Sequence, residues 1–166
     1  MKTIYIVRHA KSSWEDLSLD DHDRPLSKTG IRKTERIVKY LRKKEIKPEL
    51  FVSSSAVRAK ETAFQIAEGL EYPIEKVKID EAVYHASSET IFSTIFGLPD
   101  EIDSVMVFGH NPTMTYFVNN FLDPEIDNLP TTGVVSVGFK THKWEKIAEA
   151  KFQINFVVFP RMLKGK

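Results

Sequence analysis

Cysteine is absent from the 166 residues, which excludes disulfides, thiolate catalysis and cysteine-based zinc sites. An excess of one charge is missing too: 24 Lys and Arg face 23 Asp and Glu, a formal net charge of +1. No global field therefore recommends a nucleic acid or a membrane as partner. No apolar run approaches bilayer-spanning length, and Arg8 comes too early for a secretory signal peptide. Internal repeats, linkers and low-complexity segments are also lacking. What is left reads as one domain over residues 1–166 of a cytoplasmic protein, with enough chain to bury a sizeable core.

Three short apolar runs stand out, each ending in a polar turn. Thr3 to Val7 is β-branched and does not alternate, the pattern of a strand buried on both faces. It runs out into Arg8-His9-Ala10-Lys11-Ser12. Leu50 to Ser53 exits into Ser54-Ser55-Ala56-Val57-Arg58, and Ser104 to Phe108 exits into Gly109-His110-Asn111-Pro112.

Helical spacing fills the intervals. Ser27 caps a helix with Ile31, Ile37, Val38 and Leu41 inward, and Ser54 or Ser55 caps a second running to about Leu70. Ser87 or Ser88 caps a third with Ile91, Ile95 and Phe96 inward. Asn111 and Pro112 open a fourth, reaching about Leu122. The alternation predicts a three-layer α/β/α domain with a mostly parallel central sheet. Gly133–Phe139 and Ile147–Phe159, joined by a short connection, predict an antiparallel hairpin at one edge. Ala148, Ala150, Phe152, Ile154 and Phe156 would line its one buried face.

Ligands of open α/β sheets collect beyond the carboxyl ends of the strands. If the three apolar strands are adjacent and parallel, Arg8, His9, Arg58 and His110 converge there. Two imidazoles and two guanidiniums, without metal-ligand spacing, suit a phosphoryl group. Arginine offers planar, permanently charged forks to non-bridging oxygens, and a neutral imidazole can attack phosphorus. Neighbouring arginines disfavour the imidazolium and so help keep that imidazole neutral. Arg58 lies in the first turn of its helix, where a cation asks for a compensating anion. Glu61 or the acidic loop of Asp16, Asp20, Asp21 and Asp23 around His22 competes with a phosphate for that task. The loop itself reads as solvated, since it lacks the glycine and terminal glutamate of a calcium loop. Lys28, Arg32, Lys33, Arg36, Lys39, Arg42, Lys43 and Lys44 likewise read as a solvated basic face. Neither a metal nor a cofactor is implied.

These residues resemble the histidine phosphatase (phosphoglycerate mutase-like) superfamily. The run from Arg8 to Trp14 is closer still to its SixA-like phosphohistidine phosphatases. Asp23-Arg24-Pro25-Leu26-Ser27 with Gly30, Ser54 to Arg58, Gly109-His110-Asn111-Pro112, Leu129-Pro130-Thr131 and Phe159-Pro160 follow in that group's order. The resemblance implies that His9 takes the phosphoryl group, that Arg8 and Arg58 clamp its oxygens and that His110 donates a hydrogen bond to them. It also points to Glu81 as a candidate general acid, and Ser12 offers a further hydroxyl or a local cap. His22, His85 and His142 read as loop or surface histidines.

The leading expectation is a phosphatase acting on a phosphorylated protein or a small phosphorylated molecule. A phosphoramidate such as phosphohistidine heads the substrates, because its protonated leaving group can dispense with an acid. A small-molecule phosphomonoesterase and a non-catalytic phosphate-binding module are the alternatives.

Overall fold

A computed structural model describes residues 1–163. Its strands are β1 (Lys2–Arg8), β2 (Leu50–Ser53), β3 (Lys78–Ile79), β4 (Ser104–Gly109), β5 (Val134–Phe139) and β6 (Phe152–Val158). Its helices are α1 (Lys28–Lys43), α2 (Val57–Gly69), α3 (Ser88–Phe96) and α4 (Thr113–Val118). One sheet forms in the order β3-β2-β4-β1-β5-β6. β3, β2, β4 and β1 run parallel, while β5 and β6 run antiparallel to their neighbours.

Successive strand residues point to opposite faces, and the sheet is apolar on both. Ile4 and Ile6 join the cluster under α3 and α4, whereas Tyr5 and Val7 join the cluster under α1 and α2. That double burial is why β1 lacks alternation, and it yields the expected three layers. No described helix is long and apolar enough to cross a membrane.

Four local expectations change. Ile31 is 49% exposed instead of inward; it lies before the stretch of α1 that meets the core at Ile37, Val38 and Leu41. Ala56, not a serine, occupies the cap position of α2, while the Ser54 hydroxyl accepts from the Ala56 amide and meets a histidine just beyond β4. α4 stops at Val118, short of Leu122. Finally, β6 begins only at Phe152, the preceding residues forming turns. A bulge opposite Ser136 and Val137 then breaks its alternation. Phe152 packs on Phe121 and Phe139 of one core, and Phe156 on Tyr5 and Tyr40 of the other. An edge strand with an extra residue thus serves both faces, leaving Phe152 47% and Ile154 37% exposed.

The loop after β1 is fastened to the start of α1. The Lys11 carbonyl accepts from both the Ser27 amide (2.9 Å) and the Ser27 hydroxyl (3.0 Å). A Cβ at Gly30 would come within 2.2 Å of that same carbonyl oxygen, so only glycine permits the approach. Gly30→Ala is expected to lower stability by about 1–3 kcal/mol through overpacking, measured as a fall in the denaturant midpoint. An unchanged midpoint would contradict this packing.

Candidate active site

β1 and β4 end in register, Arg8 opposite Gly109, and the His9 amide adds one more ladder bond to the Gly109 carbonyl at 3.0 Å. His9 and His110 therefore leave the sheet side by side, their ring centroids 5.1 Å apart. β2 joins the same edge through the Ser54 amide, which donates to the Phe108 carbonyl at 3.0 Å. Three carboxyl ends meet at one place.

Arg8 and His9 would point apart on a straight strand, but the chain turns there. Thr132, in the left-handed region at φ 56, donates its amide to the Arg8 carbonyl (2.9 Å) and the His9 carbonyl (3.3 Å). The Ala10 amide donates to Thr62 Oγ1 at 2.9 Å, whose hydroxyl donates to the Arg58 carbonyl at 2.7 Å. This second tie couples the His9 turn to the first turn of α2. Arg8, His9 and Arg58 consequently line one cavity of about 290 Å³, with Lys11, Ser12, Trp14, Arg24 and Thr131. His110 packs ring to ring behind His9. A larger cavity of about 550 Å³ between α1 and the C-terminal turn is lined by Lys39, Tyr40, Lys43, Lys44, Met162 and Leu163. It is lined by no histidine and no carboxylate.

The protonation pattern follows from the surroundings. His9 Nδ1 lies 2.7 Å from the Ala10 carbonyl; a carbonyl only accepts, so Nδ1 carries the proton and Nε2 keeps its lone pair. Burial, then the charges of Arg58, Arg8 and Arg24, push the His9 pKa down to about 4 against the opposing pull of the Ala10 bond. Burial, His9 and Arg58 push His110 down to about 3. Both rings are neutral at pH 7. Arg8 Nη1 donates to the Leu129 carbonyl at 3.0 Å, while Arg8 Nε and His110 Nδ1 are buried without a protein partner.

Arg58 has the carboxylate partner that its position asks for, and it is Asp21 of the acidic loop. Arg58 donates to the Asp21 carbonyl at 2.6 Å and to Asp21 Oδ2 at 2.9 Å. The Tyr84 hydroxyl donates to Oδ2 at 2.6 Å, and Arg24 donates to Oδ1 at 3.2 Å. The Tyr84 bond foremost, with Arg58 and Arg24, holds the Asp21 pKa down to about 2. Tyr84 also sets its ring edge toward His110, centroids 5.4 Å apart. The acidic loop is thus not simply solvated, and three residues absent from the sequence-based site belong to its surroundings: Arg24 lines the cavity, Asp21 bonds Arg58, and Tyr84 bonds Asp21. Only the demand of Arg58 for an anion pointed toward Asp21.

Ser12 lines the cavity, but its hydroxyl accepts from Arg24 Nη2. Glu81 is exposed at the start of a 3-10 turn and is not among the cavity-lining residues; Tyr84, three residues on, reaches the site from that segment. His22 meets Ser55 Oγ through Nε2 at 2.9 Å and sets its ring edge-on to Tyr84, and His85 packs on the same tyrosine. Among the described residues no cluster of His, Asp and Glu is arranged to hold a metal.

Residues 4–82 match the family model of the histidine phosphatase superfamily (branch 1). The chain is 48% identical over 61 residues to an uncharacterized chloroplastic protein of Arabidopsis thaliana, a match spanning 37% of this chain and only 28% of that relative's length. A solved structure from Agrobacterium tumefaciens, assigned as the phosphohistidine phosphatase SixA, is 26% identical with a TM-score of 0.78, covering 96% of this chain and 98% of that one. The protein histidine phosphatase SixA complexed with tungstate is similar in fold, with a TM-score of 0.81 at 21% identity over 98% of this chain and 99% of that one.

Proton NMR titration of the phosphate-free protein tests the electrostatics. The His9 ring is expected to protonate near pH 4 and the His110 ring near pH 3. A midpoint for either ring near the ordinary value of about 6.5 would contradict the buried, arginine-flanked environment.

Proposed function

The chain belongs to the histidine phosphatase superfamily, and on that premise we propose that it hydrolyses phosphohistidine or a related phosphoramidate through a covalent phosphohistidine on His9. The observation that carries this reading is the state of His9. Its ring is neutral, with Nδ1–H tied to the Ala10 carbonyl and the Nε2 lone pair unengaged, on a cavity that it shares with Arg8 and Arg58. Tungstate, bound by the SixA structure that this fold resembles, has the tetrahedral oxyanion shape of phosphate.

In the first step Nε2 of His9 forms a bond to phosphorus. The substrate ring is protonated on its other nitrogen, so when the bond from phosphorus to the leaving nitrogen breaks, the ring keeps the electron pair and departs as a neutral imidazole. In the second step a water oxygen attacks phosphorus, the P–Nε2 bond breaks, and orthophosphate leaves with His9 restored. Arg8 and Arg58 hold the non-bridging oxygens and offset the charge that gathers on them. Ser54 Oγ accepts from the Ala56 amide at 3.1 Å and lies 2.7 Å from His110 Nε2. A hydroxyl that donates to Nε2 leaves Nδ1–H as the His110 donor to the oxyanion.

The carboxylates near the cavity support the same choice of leaving group. Glu81 is not on the cavity, and Asp21, held down to about 2, is ionised at neutral pH. An alkoxide has no carboxylic acid there to protonate it, whereas an imidazole needs none that strong. This setting supports the phosphoramidate reading over the monoester one.

Acid-labile phosphate is expected on His9 after rapid quenching of turnover with a phosphohistidine protein. His9→Ala should abolish turnover with the fold retained by circular dichroism, and Arg58→Ala should lower kcat/KM on the order of 10²-fold. Full turnover by His9→Ala would remove the nucleophile assignment. A preference for monoesters over phosphohistidine across a substrate panel would shift the reading to a phosphomonoesterase.

A further inference from the structure

The cavity that holds His9 has one large apolar wall, Trp14, among polar side chains. We propose that Trp14, braced by Arg24, forms a leaving-group subsite that takes a planar ring attached to the transferred phosphoryl group. The proposal rests on the phosphatase reading of the same cavity and adds a specificity-determining residue to it.

The two tryptophans of the chain are used in opposite ways. Trp144 is fully buried and donates its indole N–H to the Ile102 carbonyl at 2.8 Å. Trp14 is 67% exposed. A large aromatic surface left in water beside a polar site is what a stacking partner would cover.

Trp14 is also held flat. The guanidinium carbon of Arg24 sits 3.2 Å from the indole centroid. Arg24 is itself buried and anchored on three sides, by Asp21 Oδ1 at 3.2 Å, the Ser13 carbonyl at 3.2 Å and the Ser12 hydroxyl. A fixed cation on one side orients the indole, while most of the ring surface stays open. A phosphoryl group, a handful of heavy atoms, fills only part of a cavity of about 290 Å³. The remainder includes this platform, so the organic part of the substrate meets a flat apolar plane. An imidazole or phenyl ring stacks on such a plane, and a small aliphatic group has nothing to gain from it.

The test uses the full chain as wild type, Trp14→Ala and Trp14→Phe, with phenylphosphonate and methylphosphonate as probes. They share one oxyanion and differ in the ring. By calorimetric titration the wild type is expected to bind the phenyl compound about tenfold more tightly. Trp14→Ala should bring that ratio close to one, and Trp14→Phe should restore most of it. The ratio of kcat/KM for N-phosphoimidazole over phosphoramidate should change in parallel.

Equal affinity of the wild type for the two phosphonates overturns the subsite, as does a preference that survives Trp14→Ala. Ring preference in binding without hydrolysis of any phosphate compound overturns the phosphatase reading and leaves the subsite standing. Hydrolysis without ring preference overturns the subsite alone. Failure to bind either phosphonate overturns both.

Discussion

Everything at the site depends on two parallel strands that stop at the same level. Because β1 and β4 pair with Arg8 opposite Gly109, the next residue of each is a histidine, and the two imidazoles emerge as neighbours. Shifting a strand by one residue would send alternate side chains to the other face. The buried sets Ile4, Ile6 and Tyr5, Val7 on opposite faces resist such a slip. Core packing thus fixes the spacing of the two imidazoles.

Electrostatics follow from that placement. Arg8, Arg24 and Arg58 crowd one small volume, and each disfavours a proton on His9. Asp21 counters two of them directly, joining Arg58, Arg24 and Tyr84 through one residue. The arrangement keeps an imidazole neutral among cations, a combination suited to an anionic substrate. A histidine beside a carboxylate would have the opposite bias.

Much of this was legible in the sequence, for identifiable reasons. Unalternating strands such as Thr3 to Val7 announce burial on both faces, and their polar exits announce where ligands meet a parallel sheet. Arg8, His9, Arg58 and His110 were readable because each sits at such an exit. Asp21, Arg24 and Tyr84 were not, since they meet Arg58, the cavity and His110 from a loop and a turn whose positions depend on contacts distant in sequence. Glu81 shows the converse: a plausible residue type three positions away from the one that arrives. The bulge in β6 was equally hidden, because strict alternation in Phe152, Ile154 and Phe156 cannot reveal one extra residue in the pairing.

The central claim is that segments distant in the chain assemble around a single tetrahedral oxyanion. A crystal structure of the protein with tungstate tests it most directly. The account predicts tungstate between the Arg8 and Arg58 guanidiniums, His9 Nε2 aimed at the central atom and His110 within hydrogen-bond reach of an oxygen. Tungstate bound elsewhere, or bound there with the His9 ring turned aside, would contradict it.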